Sequence, residues 1–213
     1  MKTTALYSDI TDWFFSTLET LLGTQKTVTI ALPGGHSLDG WYASVIGNVD
    51  IWKRIDATRL RWCLVDERCV PADNLDRNDT YVWETFLKPL GFTLDQFLCL
   101  GMPEVNALEY SEIIGTPDIA IFGLGPDGHI ASLFPGHPAL SAQSEGYIHI
   151  HDAPKMPPER ITLTIPSIQK ISHTAFFAVG PEKQKAFEDF LNPMITPIEC
   201  PAKFLNPDII FQG

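Results

Sequence analysis

The sequence predicts an α/β protein: a mostly parallel, Rossmann-like sheet with helices on both faces, in one domain over residues 1–213. Three observations carry that prediction. Short apolar, β-rich runs alternate with segments of helical periodicity, an order that favours parallel strands joined by crossover helices. One grammar of strand, turn and helix recurs along the chain. Glycines or charged residues follow directly on the strands, where open α/β sheets bind ligands.

The elements follow in order. Ser8 is the expected N-cap of a first helix, in which Ile10, Trp13, Phe14, Leu18, Leu21 and Leu22 recur at helical spacing before Gly23 stops it. Val28, Ile30 and Leu32 mark a strand that runs into Pro33-Gly34-Gly35, and residues 37–47 read as helical. The pattern repeats at LRWCLVD (60–66), a polar loop and a helix near 78–88, then at an extended segment over 97–100 and a strand within DIAIFGLG (118–125). Further strands are expected at 147–151, 160–165 and 174–179, a helix at 182–191 and a last extended stretch near 203–211.

Composition narrows the partners. With 15 Lys and Arg against 26 Asp and Glu, the formal net charge is −11, and no basic run interrupts it. That balance argues against nucleic acid and anionic membrane surfaces but says nothing of small anions, because a local cluster can oppose the net field. Hydrophobic residues at 45% and charged residues at 19% exclude a disordered or collagen-like chain. No apolar run approaches the roughly 18 residues of a membrane span, and Asp9, Asp12 and Glu19 break up the N-terminal apolar residues, against a secretory signal. Cys63, Cys69, Cys99 and Cys200 form no CxxC pair and read as reduced, mostly buried thiols. A cytoplasmic monomer is the expectation.

Three strand ends hold the chemistry. At Pro33-Gly34-Gly35-His36-Ser37 paired glycines let backbone N–H groups approach an anion, although a tight turn needs glycine for steric reasons as well. At Asp66-Glu67-Arg68 three charges follow the apolar run WCLV. Such charges are ordinarily just solvated, but Arg68 offers a fork of donors to a phosphate, and Asp66 can hold that fork or accept from a sugar hydroxyl. The third end, IFGLGPDGHIASLFPGHP (121–138), is the most informative. Gly123, Gly125 and Gly128 free the backbone to turn tightly, and Asp127 stands two residues before His129. A histidine exchanges protons near neutral pH, and a carboxylate beside it fixes its tautomer, so a general base is a better reading than a turn-capping histidine.

The remaining polar residues carry less. His149 and His151 alternate on one strand face without a third metal ligand at a recognisable spacing, and read as sheet surface. His36, His137 and His173 receive no role, and Ser37, Ser132 and Ser141 lack a GxSxG elbow. Arg160, Thr162 and Thr164 share one face of a strand. Lys183 falls in the first turn of a helix, where it opposes the macrodipole unless an anion is bound.

Taken together, these motifs resemble the 6-phosphogluconolactonases, of the group that includes the glucosamine-6-phosphate deaminases. GLGPDGHIASLFPG (123–136) follows a family pattern GxGxDGHxASLFPG. The Gly34-Gly35 turn, VDERCVP (65–71), Asn78, PPERITLT (157–164) and Gly180 with Lys183 match in the family's order, from about residue 28 to 205. The deaminases have Asn-Glu-Pro-Gly where this chain reads Leu133-Phe134-Pro135-Gly136, which disfavours the amino-sugar reaction. The resemblance implies hydrolysis of 6-phospho-D-glucono-1,5-lactone to 6-phospho-D-gluconate with no metal or organic cofactor. It makes His129 the general base, oriented by Asp127. Gly34, Gly35, Ser37, Asp66, Arg68, Arg160 and Lys183 then bind substrate, its phosphate or the developing oxyanion. His36 stands where relatives carry a hydroxyl, and Arg77 is either a further phosphate ligand or a surface charge. A phosphosugar-binding sensor of the same fold, without turnover, is the alternative; the intact Asp127-Gly128-His129 unit and the lack of a DNA-binding segment before residue 8 speak against it. On either reading Arg68, Arg160 and Lys183 must converge into a positive pocket on a negative molecule.

Overall fold

The computed structural model describes residues 2–98 and 107–213. The chain begins with β1 (Lys2–Thr4) and α1 (Tyr7–Thr24). Ser8 lies inside the first turn of α1 and caps nothing; Thr4 organises the entry instead, accepting from the Leu6 N–H at 3.1 Å and donating to Asp9 at 2.6 Å. β2 (Val28–Leu32) leads through a 3-10 turn (His36–Leu38) into α2 (Asp39–Gly47) and α3 (Val49–Trp52). β3 (Leu60–Leu64) and β4 (Asp66–Arg68) precede α4 (Asn78–Val82), which continues as a π-helical turn over Trp83–Leu87. Then come α5 (Ala107–Ile114), β5 (Ile119–Gly123), β6 (Tyr147–Ile150), β7 (Arg160–Leu163), α6 (Ile165–Ile168) and β8 (His173–Ala178). A turn over Pro181–Lys183 opens α7 (Gln184–Leu191), and β9 (Ile209–Gln212) closes the fold.

Several boundaries differ from the sequence reading. The strand expected over 160–165 stops at Leu163, because the Thr164 hydroxyl turns to accept from the Ser167 N–H and caps α6. The stretch near 203–211 begins as a 3-10 turn (Pro201–Phe204), and only its end is strand. Of the segment expected at 97–100, Phe97 forms a parallel bridge to Trp62 and the Leu98 N–H donates to the Trp62 carbonyl at 2.7 Å; Cys99 and Leu100 lie outside the described residues. β1 and α5 were not anticipated, although Ala107, Tyr110 and Ile114 of α5 do repeat at helical spacing and are buried.

Six strands form one sheet in the order β1-β9-β8-β5-β2-β3, and every neighbouring pair is parallel. From β2 the chain steps to β3 on one side and later to β5 on the other. The order therefore reverses between β2 and β5, and the connections leaving their carboxyl ends diverge, opening a crevice there. Adjacent residues of β8 show that both faces are covered. Phe177 meets the Trp41 ring of α2 at 5.7 Å, whereas Phe176 on the opposite face meets Phe190 of α7 at 5.0 Å. Trp41 in turn contacts Phe14 of α1 and Phe86 of the π turn, so α1, α2 and that turn share a face opposite α7.

A second, antiparallel sheet of order β4-β7-β6 was not foreseen. Asp66-Glu67-Arg68 is its edge strand rather than a turn. Val65 joins the two sheets: its N–H donates to the Leu32 carbonyl and its own carbonyl accepts from the Leu163 N–H, both at 2.9 Å. Glu67, expected to be solvated, is buried and accepts from the N–H groups of Arg68, Asn78 and Asp79 at 2.6–2.8 Å, which satisfies the first amides of α4. Cys63 and Cys200 are buried free thiols and Cys69 is a partly buried one; burial pushes Cys63 up to about 12 and Cys69 up to about 11, away from thiolate chemistry. Among the described residues no helix is long and apolar enough to cross a membrane.

Candidate active site

The crevice predicted by the strand order is a cleft of about 370 Å³. It is lined by Gly34, Gly35 and Ser37 after β2, by Gly125 and His129 after β5, and by Lys183 after β8, with Asp66 and Arg68 of β4 and Arg160 of β7. Every substrate-binding residue read from the sequence is in it. The expected convergence of Arg68, Arg160 and Lys183 is met, with Asp66 and Glu182 as the acidic groups among the described lining residues.

Two glycines are dictated by close approach. A Cβ on Gly34 would lie 1.7 Å from Oδ1 of Asn78, so Asn78 can pack against the turn only because the position is glycine. Asn78 Nδ2 donates to the Asp66 carbonyl at 2.9 Å and thereby ties the turn to β4. A Cβ on Gly125 would lie 2.0 Å from Cε1 and Nδ1 of His129, so the imidazole occupies the space that a side chain there would fill.

His129 is held at one nitrogen. Its Nδ1 is in close contact with Oδ1 of Asp127, and Oδ2 of the same carboxylate accepts from Lys155 Nζ at 3.1 Å. Burial acts to raise the Asp127 carboxyl, but the hydrogen bonds and charges of His129 and Lys155 outweigh it and hold the group well below the usual carboxylate range. Asp127 is therefore ionised and can only accept. The proton between them therefore belongs to Nδ1, and Nε2 is the ring nitrogen that Asp127 leaves unengaged. Phe134 borders the ring at 4.7 Å between centroids.

The cations are held differently from one another. Arg68 and Arg160 are directly opposed across β4 and β7, an arrangement of like charges that destabilises a strand pair unless an anion lies between or beside them. Arg68 donates through Nη1 to the Asp76 carbonyl, while its Nε is buried without a partner among the described residues. Such an orphaned donor costs about 1–3 kcal/mol and suits an incoming acceptor. Arg160 gives Nε to the Pro157 carbonyl and Nη2 to the carbonyls of Lys155 and Met156, at 2.8–3.1 Å, and Nη1 to Ser132 Oγ at 3.3 Å. Burial above all pushes Arg160 below its ordinary range; Asp66 opposes the shift and Arg68 adds to it. Lys183 contacts the Ser37 hydroxyl, joining the turns after β2 and β8, and burial lowers it as well, against Glu182 and with Lys155.

Two assignments change. Asp66 does not hold the Arg68 fork: its Oδ2 accepts from Ser132 Oγ at 2.6 Å, on the Arg160 side. Arg77 is neither phosphate ligand nor surface charge, being buried in an ion pair with Asp79 and near Glu67. Lys155 and the Ser132 link were not identified from the sequence. The one signal for Lys155 was a single lysine in the proline-rich run APKMPPER before β7. Of the other histidines, His36 stands at the cleft rim with its Nδ1 near Tyr81 and Asp39, and His137 caps the turn Pro138–Ser141. The His149 and His151 rings stack on one face, with their planes 2° apart, and no cluster of three potential metal ligands occurs among the described residues.

Fold and site together define an α/β protein with a cationic strand-end cleft lined by a histidine that is paired with a carboxylate. A family model described as glucosamine-6-phosphate isomerases/6-phosphogluconolactonase matches residues 1–209. The chain belongs to that family. It is 30% identical over 221 residues to a 6-phosphogluconolactonase of Borreliella burgdorferi, covering 94% of this chain and 90% of that protein. A chloroplastic 6-phosphogluconolactonase 3 of Arabidopsis thaliana is 36% identical over 154 residues, which cover 63% of this chain and 47% of the plant protein. The chain thus spans about half the length of the plant relatives it matches. The crystal structure of a 6-phosphogluconolactonase from Thermotoga maritima superimposes with a TM-score of 0.82 over 100% of this chain and 99% of that one, at 21% identity. A monomeric glucosamine-6-phosphate deaminase reaches a TM-score of 0.78 at 16% identity, covering 100% of this chain and 96% of that one. The two share the fold of this chain.

Proposed function

We propose that this protein hydrolyses 6-phospho-D-glucono-1,5-lactone to 6-phospho-D-gluconate, the lactone-opening step of the oxidative pentose phosphate pathway, as a cytoplasmic monomer. The observation that carries the reading is the Asp127–His129 pair, which engages Nδ1 and not Nε2, with His129 on the same cleft as Arg68, Arg160 and Lys183. Nε2 takes a proton from water as its oxygen attacks the lactone carbonyl. The carbonyl oxygen becomes an oxyanion in a cationic cleft, the bond to the ring oxygen breaks, and the imidazolium returns its proton to that leaving oxygen. One water is consumed, and a carboxyl and a hydroxyl are formed. Lactones are reactive esters, so positioning with one base suffices. The 6-phosphate is assigned to Lys183, Arg68 and the Gly34-Gly35-His36-Ser37 turn, with Arg160 adding charge from β7 and Asp66 accepting from a sugar hydroxyl.

The test is the disappearance of freshly generated lactone compared with its spontaneous hydrolysis. Acceleration by the wild type, reduced about 100-fold or more in a folded His129→Ala variant, is the expected result for loss of a general base. No acceleration at micromolar protein would overturn the hydrolase and favour the phosphosugar sensor.

A further inference from the structure

Lys155 belongs to the connection between β6 and β7 and is absent from the set of residues that the sequence motifs single out. Its ammonium is 3.1 Å from Asp127 Oδ2 and 3.4 Å from His129 Nδ1. Because Nδ1 already carries a proton directed at Oδ1, Lys155 cannot donate to it; the ammonium is simply a second positive centre beside the ring. The connection that carries it is fixed from below. Three consecutive carbonyls, those of Lys155, Met156 and Pro157, accept from Arg160, and the Ala153 N–H closes on the Pro158 carbonyl at 3.1 Å. Arg160 is anchored in turn through Ser132 to Asp66, with its guanidinium 5.5 Å from the centre of the same Phe134 ring that borders His129.

We propose that Lys155 is a positioning and tuning residue for His129, and that Arg160 acts in part by holding Lys155 there. Gripped at Oδ2 by Lys155 and at Oδ1 by His129, the Asp127 carboxylate cannot rotate, so the imidazole keeps one orientation and one tautomer. The ammonium, 3.4 Å from Nδ1, also opposes a positive charge on the ring. Among the described residues, the charged groups in contact with the imidazole are Asp127 from its own loop and Lys155 from the β6–β7 connection; Gly125 and Phe134 bring none. Lys183 lies on the same cleft, and Lys155 is one of the charges that lower it.

The experiment compares wild type with Lys155→Met and Lys155→Arg. The side chain is 38% exposed and the loop's hydrogen bonds are made by backbone, so the fold does not depend on it. In Lys155→Met the midpoint of the His129 imidazole titration, followed by NMR without substrate, moves up by about half to one pH unit, the effect of removing a partly solvated like charge at contact distance. The acid limb of kcat/KM moves in the same direction, kcat at neutral pH falls about tenfold, and KM stays within about twofold, since the phosphate-binding cations are untouched. Lys155→Arg returns both profiles toward wild type. An unmoved His129 midpoint in Lys155→Met overturns the proposal. The kinetic arm rests on the hydrolytic reading, whereas the NMR arm does not: a moved midpoint without any lactone turnover by the wild type would remove the hydrolase and leave the coupling standing.

Discussion

Gly125→Ala tests the geometry of the site with a single methyl group. The added Cβ would stand 2.0 Å from Nδ1 and Cε1 of His129, against an ordinary contact distance of at least 3.4 Å, so the ring must withdraw by about 1.4 Å. The three atoms nearest to the added methyl group all belong to the His129 ring. The Gly125 N–H still donates to the His129 carbonyl at 2.9 Å, and its carbonyl still accepts from Gly128 at 3.0 Å. Withdrawal separates Nδ1 from Asp127, which frees the tautomer and carries Nε2 away from the attacking water. Misplacement of a catalytic group by about 1 Å costs on the order of 100-fold, so kcat should fall about 100-fold, equivalent to about 2.7 kcal/mol, while KM changes little. Steady-state lactone hydrolysis, with thermal unfolding as the control for folding, measures this. In a His129→Ala background the same methyl group should have no further effect, because the ring it displaces is gone. A folded Gly125→Ala protein with kcat within threefold of wild type would refute the claim that the glycine serves the imidazole.

Other consequences can be checked independently. Lys183→Met removes a cation that joins two strand-end turns, and is expected to raise KM for the lactone and Kd for 6-phosphogluconate about tenfold with kcat nearly unchanged, as for one lost charge-assisted hydrogen bond; calorimetric binding that is unaltered would remove Lys183 from the phosphate site. Trp41→Ala empties a fully buried position among Phe14, Phe86 and Phe177. It should lower unfolding free energy by about 3 kcal/mol in urea, at the low end of such truncations because the buried indole N–H has no acceptor to lose. Asp127 ties stability to acid pH. Its folded-state carboxyl lies below its ordinary value of about 3.9, so the stabilisation is present above that pH and is lost as pH falls through the lower folded-state value. Asp127→Asn should therefore be less stable than wild type at pH 7 and converge with it toward pH 2; a constant difference across that range would contradict the pairing.

The parts of this protein that were legible in the chain are those set by neighbours in sequence. A strand of VTIAL followed by Pro33-Gly34-Gly35, or of IAIFG followed by Leu124-Gly125, announces its own end, and residues two apart, Asp127 and His129, meet through a single turn. The failures have equally local causes. Asp66-Glu67-Arg68 carries three charges and looks like a loop, because nothing nearby shows that α4 will bring two amides to Glu67 or that β7 will pair with it. Arg77 reads as a phosphate ligand or a surface charge for the same reason: Asp79 lies two residues away, but the burial that makes the pair structural comes from packing.

Hydrophobic periodicity and turn chemistry act over a few residues, so the chain's local pattern specifies the alternation of strands and helices, the glycine turns and the Asp127–His129 unit. Long-range packing alone makes Ser37 and Lys183, 146 residues apart, touch. It also makes Asp66 reach Arg160 through Ser132 and Lys155 stand against Asp127. Those contacts follow from the strand order reversing between β2 and β5 and from the second sheet that Val65 links to the first. Both arise from pairing between distant segments, whose free energy depends on the whole core and is written in no single stretch of the chain.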